Sequence, residues 1–116
     1  MYFDPARALT MFGSEQSFRK VLQMAFDCLA TDIDKIGALL DRGERTDASH
    51  LLHAIKGFAP IFCGDALSAR IAELERLSKA EPIELVRLQY AGLKPALIQW
   101  CGEIKRHLAL HDRAAP

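Results

Sequence analysis

The stretch from Ser14 to Gly43, SEQSFRKVLQMAFDCLATDIDKIGALLDRG, decides the fold. Its apolar residues recur at steps of three and four, which is the spacing of an amphipathic helix with one buried face. Ser14 can accept a hydrogen bond as N-cap, and Arg42 followed by Gly43 is typical of a helix end. A long helix with one apolar stripe must pack against other helices. The stripe consists of Phe18, Val21, Leu22, Ala25, Leu29, Ile33, Ile36 and Leu40.

Two more helices are predicted on either side of this stretch. Asp4 followed by Pro5 is typical of a helix start, and this short helix should end near Met11. Thr46 should cap a third helix beyond Gly43. Pro60 should bend or weaken that helix, because proline cannot donate a backbone hydrogen bond.

The C-terminal half contains the last two helices. Asp65 is the expected cap of the fourth, and the fifth should run over about 83–110 with a kink near Gly92 and Pro95. Their apolar residues are Leu67, Ile71, Leu74 and Leu77 in the fourth helix, and Leu85, Leu88, Leu93, Leu97, Trp100, Ile104 and Leu108 in the fifth. We predict an all-α fold, an antiparallel four-helix bundle with a short N-terminal helix capping one end.

The composition fits one small domain and excludes several functional classes. The chain has 116 residues, of which 50% are hydrophobic, and its 15 basic and 15 acidic residues give no net charge. A neutral chain of this length predicts a single domain with a core over about 3–110 and a frayed tail over 111–116, and gives no support for nucleic-acid binding or direct membrane contact. Neither a signal peptide nor an apolar run of about 20 residues is present. Cys28, Cys63 and Cys101 are expected to be reduced thiols of a cytoplasmic monomer, and no CxxC pair points to a metal.

The segment His53-Ala54-Ile55-Lys56-Gly57 carries the functional signal. On a helical wheel, the residues within about 60° of His53 include no large apolar side chain, so His53 should point outward. Glycine inside a helix costs about 1 kcal/mol relative to alanine, and Gly57 is therefore expected to leave room for another molecule beside His53. The residues within about 60° of His53 on the wheel are Thr46, Ser49, His50, Lys56, Gly57, Pro60 and Gly64.

This arrangement suits phosphoryl transfer. A neutral imidazole is nucleophilic near pH 7 and can form a covalent phosphoryl intermediate, while Lys56 could neutralise part of the transferred charge. No aspartate or glutamate lies on this helix face within one turn of His53, so a general base and a magnesium site are expected to come from a partner. The competing interpretation is an ordinary solvated histidine.

The same residues resemble a known family, the histidine-containing phosphotransfer (HPt) domains of multistep phosphorelays. The family motif is His, two residues, Lys, Gly on the second helix of a four-helix bundle, which His53, Lys56 and Gly57 match. The likeness covers about residues 3–108, and departures occur where Phe58 and Ile61 replace smaller residues, Pro60 is unusual, and Gly64 comes one residue after the usual turn glycine. The family's flanking pattern is followed by Phe12, Gly13, Ser14, Glu15, Phe18, Leu22 and Phe26 upstream, and by Leu67, Ile71, Leu74 and Glu75 downstream.

The resemblance implies a phosphorelay intermediate without catalytic activity of its own. His53 would accept a phosphoryl group from a receiver-domain aspartate and pass it to another receiver, with Lys56 stabilising charge and Gly57 giving access. No cofactor of its own is expected, since the receiver supplies Mg²⁺. Residues expected to touch the partner are Ser49, His50, Pro60 and Ile61.

Family members occur alone or at the C-terminal end of hybrid histidine kinases. A hybrid kinase in cis is therefore a second expected partner, and the chain would then form the cytoplasmic end of a membrane-bound sensor. The short segment before Pro5 is compatible with either arrangement. Two other functions stay open: a helical adaptor that binds a receiver or kinase without phosphorylation, and a metal-dependent hydrolase, although His50, His53, His107 and His111 do not show the inward-facing pattern that such a site needs.

Overall fold

Each apolar stripe corresponds to a helix in the computed structural model, which describes residues 1–114 and the side chains of residues 1–110. Regular structure in this range is entirely helical. The elements are α1 (Pro5–Leu9), α2 (Glu15–Asp41), α3 (Arg45–Phe62), α4 (Asp65–Ala80) and α5 (Ile83–Ala114). None of these helices is long and apolar enough to cross a bilayer.

Helices α2 to α5 form the predicted antiparallel four-helix bundle, and α1 packs across α2 and α3 at one end. In cross-section the order is α2, α3, α4, α5, because each helix packs against the next and α5 returns to α2. Short connections of two or three residues enforce this order of neighbours. The two helices that matter below, α3 and α4, are therefore adjacent and antiparallel.

The core lies where the four stripes meet, and it is closed by hydrogen bonds from two aromatic residues. Trp100 of α5 is fully buried and donates from Nε1 to the Phe62 carbonyl at 3.0 Å. That carbonyl is one of the last in α3 and has no partner within its own helix. The hydroxyl of Tyr90 donates to the Ile33 carbonyl at 2.5 Å. These two bonds fix α5 against α2 and α3.

Helix ends agree with the sequence in part. Asp4 and Ser14 are N-caps that accept from Arg7 N and Ser17 N, as predicted. Two predicted caps are wrong by one or two residues: α3 begins at Arg45 rather than after Thr46, and α4 begins at Asp65 with Gly64 as its N-cap. Neither of these two helices has a side-chain cap, so the bundle packing determines where they start.

Within residues 1–114, the turn after α2 is the place where the backbone requires glycine. Gly43 has φ +73°, in the left-handed region that other residues avoid. It follows the C-cap Arg42, and the Gly43 N–H donates to the Leu40 carbonyl. The predicted helix end over Arg42 and Gly43 is confirmed.

Pro60 and Pro95 do not interrupt the helices that contain them. Pro60 falls in the last turn of α3, which ends two residues later at Phe62. Pro95 lies within α5, which continues to Ala114. The bends expected at these positions, and at Gly92, stay predictions. Fraying of 111–116 also stays a prediction, and residues 115–116 lie outside the described residues.

The apolar face of α5 corrects the sequence prediction at its first two turns. Leu85 and Leu88, expected in the core, are exposed, and Leu88 is 68% accessible. Val86 and Tyr90 take the buried positions instead. Counting back from Leu93 by three residues gives Tyr90, and by four more gives Val86. These two positions, and not Leu85 and Leu88, continue the helical period of the buried face.

The N-terminal segment is held by a carboxylate of α5. Glu103 Oε1 accepts from the backbone N–H groups of Tyr2 and Phe3, each at 2.8 Å. The Tyr2 carbonyl in turn accepts from Gly64 N at 3.2 Å. These bonds place the chain start beside the α3–α4 turn and bury Phe3.

Candidate functional site

His53 lies in the middle of α3 with 69% of its side chain accessible, as the wheel predicted. Its ring does not stand alone in solvent. Nδ1 lies 2.7 Å from Oε1 of Glu75, a residue of the neighbouring helix α4. The outward orientation is therefore fixed by a contact between helices and leaves Nε2 as the ring nitrogen available to a partner.

Glu75 lies at the centre of a cluster of ionisable side chains, with the His53 ring and two lysines around its carboxylate. Its own side chain is only 4% accessible. Lys79 Nζ lies 3.1 Å from Oε1, and Lys56 Nζ lies 3.7 Å from Oε2. We call His53, Lys56, Glu75 and Lys79 the histidine cluster.

Ionisation of Glu75 determines which ring nitrogen of His53 carries the proton. The hydrogen bond from His53 lowers the pKa of Glu75, and Lys79 and Lys56 lower it further, against the burial that would raise it. Glu75 is therefore a carboxylate at neutral pH and can only accept hydrogen bonds. Nδ1 of His53 must donate the proton, and in the neutral ring the lone pair is then on Nε2.

This contact corrects one expectation. The residues of α3 indicated that no carboxylate would accompany His53, and on α3 itself none does. Glu75 reaches the ring from α4 instead. It contacts Nδ1 and lies on the opposite side of the ring from Nε2, so it is not placed to take a proton from Nε2. Its role in the geometry is to hold the imidazole and its proton.

Glu75 and Lys79 are the members of the histidine cluster that sequence reasoning did not assign. The sequence pattern did place Glu75 next to Leu74, on the face of α4 that is buried. Ile71 and Ser78 are also on this face. A carboxylate in such a position is almost never buried unless it is paired. Lys79 follows one turn later and forms the i, i+4 pair.

Gly57 leaves open space beside His53. A Cβ built at this position meets no atom within 4 Å outside its own helix backbone and neighbours. The backbone there is ordinary helix, so glycine is not required by conformation. The open space agrees with the expected role of Gly57 in access, and that role itself stays a prediction.

The four residues predicted to touch a partner differ in exposure. His50 and Pro60 are exposed, and Ile61 is half-buried against the core. Ser49 is 95% buried, with 5% of its surface accessible, so any contact with a partner would be confined to a recessed hydroxyl. Partner contact by all four stays a prediction.

A polar groove runs from His53 toward the start of α3. Its volume is about 430 Å³, and it lies between the first half of α3 and the last turns of α4. Arg45 crosses its end, where Nη1 donates to the carbonyls of Ser78 and Glu81 at 3.1 and 2.5 Å. We call this the α3–α4 groove; it is lined by Arg45, Thr46, Ser49, His50, His53, Ser78 and Lys79.

The cysteines are not part of the histidine cluster or of the α3–α4 groove. All three cysteines are free, and Cys63 and Cys101 are buried. Burial raises the pKa of the Cys63 thiol to about 11 and that of Cys28 to about 12, where Asp32 adds to the shift. Among the described residues, no group of three or more His, Cys, Asp or Glu is placed to hold a metal ion.

Comparison with known proteins bears on the fold and the histidine cluster together. Searches of curated proteins and of solved structures found no significant match to the chain. The sequence profile of the Hpt domain matches residues 20–112, which is most of the chain and includes every member of the histidine cluster. The match agrees with the motif His53, Lys56, Gly57 and with the four-helix bundle that carries it. The chain therefore belongs to the Hpt domain family, the histidine phosphotransfer modules that interact with receiver domains in phosphorelays.

Proposed function

We propose that His53 is the residue that is phosphorylated, and that Nε2 forms the bond to phosphorus. The observation that carries this proposal is the 2.7 Å contact between Nδ1 and Glu75. A fixed proton on Nδ1 keeps the nucleophilic lone pair on Nε2, on the accessible side of the ring. His50 is also exposed, but within the described residues it makes no hydrogen bond or ion pair with a carboxylate.

The transfer step balances without a base. The Nε2 lone pair attacks phosphorus of the aspartyl phosphate of a receiver domain, the P–O bond to aspartate breaks, and the aspartate leaves as a carboxylate. The ring keeps its Nδ1 proton and becomes a phosphorylated imidazolium. Its positive charge then lies against the Glu75 carboxylate. In the return step another aspartate attacks phosphorus, the N–P bond breaks, and neutral imidazole leaves.

Lysines balance the charge of the transferred group. Lys56 and Lys79 both pair with Glu75, so before transfer this group carries one excess positive charge. A phosphoryl group brings between one and two negative charges at neutral pH. We infer that Lys56 turns toward it, because Lys56 makes the longer contact with Glu75. The partner's Mg²⁺ supplies further compensation, and no cofactor bound by this chain is needed.

The proposed setting is a cytoplasmic phosphorelay. The chain would shuttle phosphoryl groups between receiver domains, either on its own or as a module of a hybrid histidine kinase. It lacks independent catalytic activity in this proposal, since the receiver brings the metal and the activated acyl phosphate.

Phosphorylation of a single histidine tests the proposal. A receiver domain charged with a small phosphodonor is incubated with the chain, and the chain is then examined for phosphate that is labile in acid and stable in base. His53→Gln should abolish acceptance and keep the fold, because the side chain is exposed. His50→Gln is the matched control and should accept normally. Normal acceptance by His53→Gln would exclude this residue as the nucleophile.

A further inference from the structure

The α3–α4 groove presents hydrogen-bond donors and no acid. None of its seven lining residues is acidic. Arg45 and Lys79 supply positive charge, and Thr46 and Ser49 supply hydroxyl groups. A neutral chain has equal numbers of both charges, so this separation is local rather than compositional.

Donors in the groove remain available for a ligand. Arg45 uses Nη1 for two carbonyls, and no acceptor among the described residues binds its Nε or Nη2. The hydroxyl of Ser49 makes no hydrogen bond to any residue that the structure describes, and it reaches solvent through the 5% of the residue that is accessible. Ser78, by contrast, is satisfied by the Glu75 carbonyl at 2.6 Å. These donors have no acceptor among the described residues and reach solvent, so an anion in the groove could accept hydrogen bonds from them.

One end of the groove is lined by His53, and its other end lies away from the place where phosphorus would bind. Thr46 precedes His53 by two helical turns, which is about 10 Å along α3. Lys56 and Lys79 pair with the Glu75 carboxylate, whereas Arg45 donates only to the backbone carbonyls of Ser78 and Glu81. Arg45 makes no ion pair among the described residues, so its positive charge remains beside the groove whatever charge the phosphoryl group brings to the lysines.

We propose that the α3–α4 groove receives a carboxylate side chain of the docked receiver domain and so selects which receiver aligns with His53. The identity of the partner rests on the proposed function; the groove and its charge do not. A carboxylate fits because the donors are grouped around one end of the groove, where Arg45 can offer two parallel N–H bonds. Such a contact adds specificity and association rate to the docking that brings Nε2 to phosphorus.

Placing a negative charge in the groove tests this assignment. Thr46→Glu adds a carboxylate where the partner's is expected, and Thr46→Gln adds similar bulk without charge. An acidic residue in the first turn of α3 is favourable for the helix, so the variant should fold, which circular dichroism checks. Ala109→Glu adds the same charge near the other end of the bundle, on α5, and serves as the matched control.

Affinity is measured on unphosphorylated chains with the receiver domain that best phosphorylates the wild type, or with each of a panel if none does. Thr46→Glu should bind at least about tenfold more weakly than Thr46→Gln, and Ala109→Glu should stay within about twofold of wild type. The difference between the two Thr46 variants should shrink in high salt. Changing one acidic residue of the receiver to lysine should restore binding to Thr46→Glu.

The other possible results distinguish failure of the groove proposal from failure of the proposed function. Equal affinities of Thr46→Glu and Thr46→Gln, or no rescue by any reversed acidic residue, would overturn the groove proposal while leaving phosphorylation of His53 intact. Charge-dependent binding without any phosphate on His53 would uphold the groove and overturn the proposed function. Failure of the wild type to bind any receiver domain would overturn both.

Discussion

Glu75 and Glu103 are two carboxylates with lowered pKa values that bind different kinds of partner. Glu75 accepts from side chains of α3 and α4, and the hydrogen bond from His53 is the main cause of its low pKa. Burial alone would raise the pKa of Glu103, but bonds from Phe3 N, Gln99 and Tyr2 N bring it below 4.5. One carboxylate thus orients a reactive ring, and the other anchors the chain start.

The two carboxylates differ in what their partners can do. A backbone N–H has no alternative protonation state, so the bonds to Glu103 can only hold the N-terminal segment in place. His53, Lys56 and Lys79 can exchange Glu75 for another anion or change charge. The contacts of Glu75 are therefore the ones that a phosphoryl group can rearrange.

Blocking access should have the largest effect on transfer. Gly57→Leu places bulk in the open space beside His53, while the helix gains up to about 1 kcal/mol in propensity. Transfer from a charged receiver should fall by about 100-fold or more, since small displacements of the reacting atoms carry penalties of that size. Rapid-quench transfer assays and thermal melts measure the two effects. An unchanged rate would remove the reason for a glycine here.

Glu75 and Glu103 should differ when each in turn loses its negative charge. Glu75→Gln keeps an acceptor for Nδ1 but loses the charge that stabilises the imidazolium, so transfer should slow about tenfold, the difference between a charged and a neutral hydrogen bond. Glu103→Gln makes the same chemical change at the other carboxylate and should transfer at the wild-type rate. Nitrogen NMR of the His53 ring reports whether Nδ1 stays protonated. Equal rates for both variants would show that Glu75 has no part in transfer.

The free energy of unfolding should fall more in Glu103→Gln than in Glu75→Gln, the reverse of their effects on the transfer rate. Glu103→Gln weakens two bonds from backbone N–H groups to a charged acceptor and should cost about 1–2 kcal/mol of unfolding free energy, or roughly 4–8 °C in Tm. Urea unfolding and calorimetry measure it. If Glu75→Gln were the less stable of the two, the assignment of Glu103 as the stabilising carboxylate would be wrong.

Lys56 should have a smaller effect than Glu75. Its side chain is 43% accessible and its Nζ lies 3.7 Å from Oε2 of Glu75, so its charge is screened by solvent. Lys56→Ala should slow transfer by roughly two- to fivefold, in line with the value of a partly exposed ion pair. Lys56→Arg, which keeps the charge, is the control and should recover most of the rate. A complete loss of transfer in Lys56→Ala would mean that the partner's metal contributes less than proposed.

Acid should reduce the stabilisation that the ionised Glu75 and Glu103 give to the fold, and this is the smallest of the expected effects. Each folded pKa is lower than the ordinary 4.5, so the unfolded chain takes up protons first as pH falls. The stabilisation is complete above pH 4.5 and disappears as pH falls through the folded values. Glu75→Gln and Glu103→Gln should each flatten the fall in Tm below pH 4.5, by less than about 4 °C. An unaltered Tm profile in both variants would contradict the lowered values.

The fold could be predicted almost completely because it depends on local period. The stripe of α2 predicted its burial, and Gly43 and Ser14 predicted its ends. The failures have local reasons too: Leu85 and Leu88 were assigned to the core because they are leucines, although Val86 and Tyr90 are the positions that continue the period from Leu93. Thr46 was assigned as a cap by residue type, but α3 starts earlier, where packing against α2 and α4 supports it.

The sequence by itself determined that His53, Lys56 and Gly57 share an exposed face, because residues three and four apart on a helix lie together whatever surrounds them. Only the tertiary structure decided that Glu75 meets Nδ1. The two residues are 22 positions apart, and their contact depends on how far α3 and α4 are shifted and rotated relative to each other. That alignment comes from the short turn at Cys63 and Gly64, from the hydrogen bonds of Arg45 to carbonyls at the end of α4, and from the shared core. Those are long-range interactions, and no local period encodes them.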